Sequence, residues 1–412
     1  MDWMPPGKHN SLGLYISIPF CRSKCTYCNF ASGVYPASEH RRYVDRLIED
    51  LSGARARAER LNVELPEAVD TIYLGGGTPS LLPPELLADL FAAIRAEFHI
   101  QHGAEITMEC APGQIPDEFL AAMAANGINR VSLGVQSFVD REAAVSGRLH
   151  HRTTVFDDLR RLRSAGIVNL NVDLIAGLAG QSLASWNESL DALICTQVPH
   201  ASVYMLEVDE DSRLGREVLG HGARYFAELV PTDEAIVEMY STAIEKLSGA
   251  GLEQYEISNF CRSGFASRHN LRYWQRRPYL GVGLDASSLL RASSRAGQPR
   301  CMLRSATTSD MNAFLTSAAE HDITWEPLER QHEEAWFLGL RMNRGVELAE
   351  IENEFGKGLT AAALEVVHRF QDSGLVAVQD GIATLTAQGR LLANEVFEQF
   401  VGLPEPCTTQ PA

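Results

Sequence analysis

The chain lacks a second cysteine pair. Of 8 cysteines in 412 residues, three crowd together at Cys21, Cys25 and Cys28, and Cys110, Cys195, Cys261, Cys301 and Cys407 each stand alone. A structural zinc site draws four Cys or His ligands, usually from two separated pairs, so the missing second C-x2-C argues against one. A disulfide is disfavoured for another reason: three neighbouring thiols leave one unpaired, and the bond needs an oxidising compartment. Basic charge is also short. Against 53 Asp and Glu there are 36 Lys and Arg, a net charge of −17, which opposes binding to nucleic acid or anionic lipid across the whole surface. No run approaches the ~18 apolar residues of a membrane span. The stretch Met1 to Asn10 has neither the basic start nor the apolar core of a signal segment. A cytoplasmic protein without an integral membrane segment is expected. Its 45% hydrophobic content suits a globular chain with one large core and a smaller domain.

What the chain does have is Cys21-Arg-Ser-Lys-Cys-Thr-Tyr-Cys28, directly after the apolar run Leu12 to Ile18. The thiols are spaced C-x3-C-x2-C. A loop with these gaps can wrap three thiolates around one face of an iron–sulfur cube, whose four irons then keep one position open. The plain competing reading is a chance cluster of buried cysteines, which behave as small apolar side chains. The triplet alone leaves both standing.

Beyond the cysteines, strand-like and helix-like segments alternate. Ser38 to Leu61 is polar, with Tyr43, Leu47 and Leu51 recurring at intervals of four, a helical period. Val69 to Leu74 reads as a second strand ending in Gly75-Gly-Gly-Thr-Pro79, and Pro83 and Pro84 then open a helix through Phe98. Strands over Ala104 to Met108, Asn129 to Val135, Asn169 to Ile175 and Ala201 to Leu206 are separated by helical patterns over Pro116 to Ala125, Thr153 to Ala165 and Ser182 to Ile194. Six such units in series predict an α/β fold of parallel strands and crossover helices, curled into a partial barrel. Sites then belong at the C-terminal ends of strands. The first strand ends at the cysteines, the second at Gly75-Gly-Gly-Thr78, the third at Glu109, the fourth at Gln136 and the fifth at Asp173. Free glycine N–H groups suit a carboxylate or another anionic group. Each of these residues singly could be a tight turn, cap or loop residue; converging from five strand ends, they predict one site.

Cys21, Cys25 and Cys28, with Tyr27 before the last cysteine and Gly75-Gly-Gly-Thr-Pro79 downstream, resemble the radical S-adenosylmethionine (SAM) superfamily. The resemblance implies a [4Fe-4S] cluster whose open iron is chelated by the amino and carboxylate groups of SAM, and one-electron cleavage of the sulfonium to a 5′-deoxyadenosyl radical. It also implies a (β/α)6 partial TIM barrel. Within the superfamily, the chain is similar from Tyr15 almost to Val401 to the branch containing oxygen-independent coproporphyrinogen III dehydrogenase and the HemW-type heme chaperones. Carried over position by position, Tyr15 and Tyr27 flank SAM beside the cluster. Gly76, Gly77 and Thr78 contact its methionine part and are placed for a second SAM. Glu109, Gln136, Arg148 and Asp173 complete the nucleotide site, with Asp173 accepting from ribose hydroxyls and Arg148 facing anionic groups. For Arg148 the plain alternative is a surface salt bridge.

The dehydrogenase carries a fourth cysteine two places after the third, where this chain has Phe30, and a longer segment before the position of Tyr15. Both differences favour the chaperone. So does Arg268-His-Asn-Leu-Arg-Tyr-Trp274, which holds the H-N-x-x-Y-W signature of HemW-like sequences as His269, Asn270, Tyr273 and Trp274. A neutral imidazole ligates heme iron and aromatic rings pack on a porphyrin face. Of the neighbouring Arg268, Arg272, Arg276 and Arg277, we expect Arg272 and Arg276 to pair with heme propionates; a solvated basic loop is the plain alternative. One departure is Ser287, which stands where such sequences usually carry a histidine.

From about residue 301 to 402, helical patterns over Glu333 to Arg341 and Ala361 to Gln371 precede a short hairpin and a last helix through Asn394 to Phe397, suggesting a small winged-helix-like α+β domain. Its acidity argues against DNA. Residues 1–300 are expected to form the barrel and 403–412 a disordered tail. The expected function is a [4Fe-4S] heme chaperone that passes heme to an apo-hemoprotein and draws on an electron donor. Oxidative decarboxylation of coproporphyrinogen III, or radical chemistry on a non-porphyrin substrate, are the enzyme alternatives, with no catalytic residue assigned.

Overall fold

The computed structural model describes residues 11–293, 301–316 and 321–403. Its centre is the strand Ser11–Ile18, in which Leu12, Leu14, Ile16 and Ile18 are all fully buried, as expected of a parallel strand covered on both faces. Ala68–Gly76 pairs parallel to it on one side, and His99–Cys110, Arg130–Gln136, Asn169–Ala176 and His200–Met205 follow outward in chain order, each parallel to the last. These are the six expected strands. A seventh, Tyr279–Val282, pairs parallel to Ser11–Ile18 on its other side. Antiparallel strands flank both ends, Asn259–Cys261 and Glu253–Glu256 at one and Ser287–Ala292, Met302–Thr307 and His321–Glu326 at the other. The sheet curls without closing.

Helices cover the outer face through apolar stripes at helical spacing. Ser38–Leu61 buries Tyr43, Val44, Leu47 and Leu51, and Pro84–Glu97 buries Leu86, Leu87, Leu90, Phe91 and Ile94. Stops follow local chemistry: Asp117–Asn126 ends where Gly127 adopts φ 84°, and Leu183–Thr196 starts at the capping hydroxyl of Ser182. The inner faces of the strands carry polar residues, which leaves a lumen open at the cysteine end.

Two boundaries differ from expectation. The sheet does not stop at residue 300, because Met302–Thr307 and His321–Glu326 extend it by pairing with Ser287–Ala292 and with each other. A separate apolar core, including Trp336, Leu340, Phe355, Val367 and Phe400, begins with the helix Leu328–Arg341. Helices Leu348–Phe355 and Lys357–Asp372 and a three-stranded antiparallel ribbon complete this module. Of the expected tail, residues 404–412 lie outside the described residues, whereas the N–H groups of Gly402 and Leu403 donate to Glu333 Oε1 at 2.9 and 3.2 Å and dock the chain there.

The H-N-x-x-Y-W stretch, expected to meet heme and with a solvated basic loop as the plain alternative, is the helix Arg268–Trp274, which plugs the lumen at the end opposite the cysteines. Its start is held by Glu105, which accepts from the N–H groups of Arg268 and His269 at 3.1 and 3.0 Å. Arg272 is fully buried. It donates to Asp70, to the carbonyls of Ser11 and Pro278 at 3.1 and 2.8 Å, and to Thr71 Oγ1. Arg277 binds the other oxygen of Asp70 at 2.8 Å. Gly13 is required for this approach: a Cβ there would lie 2.4 Å from Arg272 Cδ. The expectation that Arg272 pairs with a propionate therefore finds no free donor.

Removing one partner of a buried pair strands the other charge, so Arg272→Met should destabilise the fold by roughly 3–5 kcal/mol in chemical denaturation. Burial pushes the Asp70 carboxyl up, but the Arg272 and Arg277 guanidiniums outweigh it and hold the group below its usual value. Its contribution is thus complete above about pH 4 and is lost as pH falls through the lowered value. Asp70→Asn should remove that acid-side loss; an unchanged acid slope would count against the clamp.

Candidate functional site

The strand Ser11–Ile18 delivers the chain to the cysteine loop, and the loop is fastened from several directions. Cys21 N–H donates to Gly33 O at 2.8 Å and Gly33 N–H to Pro19 O at 2.9 Å. Thr26 N–H donates to Ser146 O at 3.1 Å, and Thr26 O accepts from Leu214 N–H at 2.8 Å. The glycine turn lies beneath. Gly77 N–H donates to Ile18 O at 2.9 Å and Thr78 N–H to Phe20 O at 2.7 Å, while Gly76 N–H donates to Glu109 Oε2 at 3.1 Å. These N–H groups are therefore engaged within the fold rather than free for an anionic ligand, contrary to expectation. What glycine provides here is approach: a Cβ on Gly77 would lie 2.8 Å from the carbonyl oxygens of Ile18 and Phe20, and Gly76 has φ 99°.

Beside this turn opens a cavity of about 490 Å³ bordered by Cys21, Cys25, Tyr27 and Cys28 on one side. Gly76, Gly77, Thr78, Glu109, Gln136, Arg148 and Asp173 also border it, so the predicted cofactor residues from separate strands meet at one void. Tyr15 is the exception: it stacks on Tyr73, with ring centroids 6.2 Å apart, and stands behind the wall. Asp173 lies within Asn169–Ala176 rather than at its end, facing the lumen, where its carboxylate accepts from Ser132 Oγ at 2.9 Å and Asn171 Nδ2 at 2.7 Å. Gln136 sits at its strand end with φ 70° and a buried Oε1 that has no partner.

The donor set fits an iron–sulfur cluster and SAM. All three thiols are free, and polar groups lie near their sulfurs: Arg148 Nη1 is 3.5 Å from Cys25, Ser32 Oγ 3.9 Å from Cys28 and Thr78 Oγ1 4.0 Å from Cys21. Among the described residues, no group of three or more His, Cys, Asp or Glu closes around a single ion. The thiols border a void instead, which suits a bulkier group. Among the described residues Arg148 makes no surface salt bridge; its other donor goes to Gly134 O across the cavity wall. The orphaned Gln136 oxygen and the carboxylates of Glu109 and Asp173 offer acceptors for a ligand's ammonium and hydroxyls.

The heme candidates divide. His269 is fully buried, with Nδ1 hydrogen-bonded to Thr71 Oγ1 at 2.9 Å and Nε2 to Tyr273 Oη at 2.8 Å, and burial lowers its pKa to about 3. The imidazole is neutral, as iron ligation requires, but neither nitrogen is open. Tyr273 packs edge-on against Tyr279 at 4.7 Å. Asn270 borders the cavity. Trp274 and Arg276 face a separate groove of about 60 Å³. There Arg276 donates to both Glu354 oxygens at 2.9 and 2.8 Å, so it too is already paired, and Arg341 lies 4.3 Å from the Trp274 ring centroid. Ser287 is exposed and is not among the cavity-lining residues. Phe30, in place of the fourth cysteine, is 61% exposed at the mouth.

Sequence reasoning missed Tyr73, Arg130, Ser132, Asn171, Ser202 and Tyr204, all on the cavity wall. A signal was present. Arg130, Ser132, Gly134 and Gln136, like Asn171 and Asp173, recur at every second position, which places them on one face of a strand.

A model of the radical SAM superfamily matches residues 15–193, and a model of the HemN C-terminal domain matches residues 327–392. Heme chaperone HemW of Lactococcus lactis is 31% identical over 94% of this chain and 96% of its own length. HemW of Bacillus subtilis is 31% identical over 94% and 98%, and that of Mycobacterium tuberculosis 32% identical over 97% of both. Among solved structures, coproporphyrinogen III oxidase HemN from Escherichia coli, described as a radical SAM enzyme, superposes with a TM-score of 0.80 over 96% of this chain and 92% of its own at 20% identity. That likeness shows the fold.

Glu109 is the titratable group most exposed to test. Burial pushes its pKa up, Tyr73 Oη donating at 2.7 Å offsets part of this, Asp173 adds to it, and the result is about 7. An unfolded glutamate releases its proton near pH ~4.3. Between there and about 7 the native state holds a proton that the unfolded chain has lost, so stability of the ligand-free protein falls as pH rises through the window. Glu109→Gln should flatten this decline, on the order of 1–3 kcal/mol, in denaturant titrations on either side of the window.

Proposed function

The chain belongs to the HemW family of heme chaperones within the radical SAM superfamily, and on that premise we propose that it binds heme and hands it to an apo-hemoprotein in the cytoplasm. The family brings a [4Fe-4S] cluster and SAM. We place the cluster on Cys21, Cys25 and Cys28 and SAM against Tyr27, Gly76, Gly77, Thr78, Glu109, Gln136, Arg148 and Asp173, with Tyr15 supporting the wall through Tyr73. When bound, the pair supplies one-electron chemistry.

The chain's own residues have distinct tasks. The fastened loop Cys21–Cys28 holds three thiols toward one void, and Arg148, beside Cys25, would compensate the negative charge of a cluster held there. Glu109 and Asp173 orient a ligand's ammonium and hydroxyls and can take a proton, since burial raises both carboxyls. Exposed Phe30 and Leu149 give the mouth an apolar rim, a surface suited to a porphyrin face. Of the H-N-x-x-Y-W side chains, Asn270 is placed to meet a ligand inside the cavity; iron ligation by His269 requires its ring to release its bond to Thr71 or to Tyr273.

The end-to-end match to HemW relatives, over nearly the whole length of both chains, carries the reading. Its test is anaerobic reconstitution followed by parallel assays of heme retention and coproporphyrinogen turnover. Retained heme with a shifted Soret band, transfer to an apo-hemoprotein and no protoporphyrinogen are expected; robust protoporphyrinogen formation would select the enzyme reading instead. Cys21→Ala, Cys25→Ala and Cys28→Ala should each abolish the iron–sulfur absorbance, and full retained iron would refute ligation by that thiol.

A further inference from the structure

Deeper in the lumen lies a cation that the reading above leaves unused. Arg130 opens the strand Arg130–Gln136, on the same face as Ser132, Gly134 and Gln136, all of which border the cavity. It is 2% exposed. Among the described residues no hydrogen bond reaches its side chain and no carboxylate lies at ion-pair distance, and its Nε is buried without a partner. The other inner guanidiniums are engaged: Arg148 by Gly134 O and Cys25, and Arg341 by Glu256 at 2.9 Å.

Among the described residues four carboxylates border the cavity, Glu109, Asp173, Glu207 and Asp209, yet none bonds to Arg130; Asp173 acts on it only through the longer-range attraction of opposite charges. Glu109 is occupied by Tyr73 Oη and Gly76 N–H, and Asp173 by Ser132 and Asn171. Asn270, rising from the floor helix, also borders the cavity, and among the described residues its side-chain amide makes no hydrogen bond within the fold. A buried guanidinium whose donors find no acceptor is costly, and its planar fork of donors matches a carboxylate. We propose that Arg130 and Asn270 form a subsite on the cavity floor for the carboxylate of a second organic anion, seated deeper than the SAM site. Two molecules carry that chemistry: a porphyrin through its propionates, which rests on the heme-binding reading, and a second S-adenosylmethionine through its methionyl end.

The reconstituted full chain and its Arg130→Gln, Arg130→Lys and Asn270→Leu variants are titrated anaerobically with heme, heme dimethyl ester and SAM. With a propionate in the subsite, the unsubstituted protein binds free-acid heme about tenfold more tightly than the diester, the scale of one charged hydrogen bond. Arg130→Gln loses that preference, Arg130→Lys keeps part of it, and SAM stoichiometry is unchanged. With SAM in the subsite, the heme preference is unaffected and Arg130→Gln loses one bound SAM per chain. If Arg130→Gln changes neither, the subsite is overturned. If it does not fold, Asn270→Leu decides by the same two readouts. If the unsubstituted protein binds no heme, the chaperone reading fails and SAM stoichiometry alone decides the subsite.

Discussion

The buried pairing of Asp70 with Arg272 and Arg277 is the constraint on which the lumen depends. Asp70 and Ser11 stand at the starts of the two central strands, and Arg272 reaches them from the helix Arg268–Trp274 across a glycine that leaves room for it. A buried ion pair adds little net stability over an apolar substitute, but it tolerates few alternative geometries because each donor needs its acceptor. The consequence is positional. The helix becomes a floor, His269 is spent on Thr71 and Tyr273, and Asn270 alone of the H-N-x-x-Y-W side chains borders the cavity.

At the other end of the lumen the glycine turn works through proximity. Its N–H groups tie the cysteine loop and Glu109 to the strand ends. A ligand's charged end is therefore met by side chains, and these are arranged unequally. Glu109 and Asp173 accept from neutral donors in a place that favours their protonated forms, while the Arg130 fork meets no hydrogen-bond acceptor among the described residues. The lumen thus favours anions at its floor and offers acceptors nearer the cysteines, a polarity that would orient a molecule bearing both an ammonium and a carboxylate.

The sequence by itself determined the alternation of strands and helices, the parallel order of six strands, the cysteine loop and the glycine-turn and strand-end residues that meet at the void, because periodicity and turn chemistry are local. Asp173 was legible as a site residue but not as a mid-strand one, since a strand boundary depends on the neighbouring strand's register. Tertiary structure alone decided which donors remain free. Arg272 and Arg130 are both arginines in polar surroundings along the chain, yet one is fully paired and the other is not. The glycine N–H groups look open in sequence and are closed by the carbonyls of Ile18 and Phe20. Even the edge of the barrel domain, expected at residue 300, was moved by strand pairing. The physical reason is common to all: a residue's type fixes what it can bond, and only the fold brings the partner that it does bond.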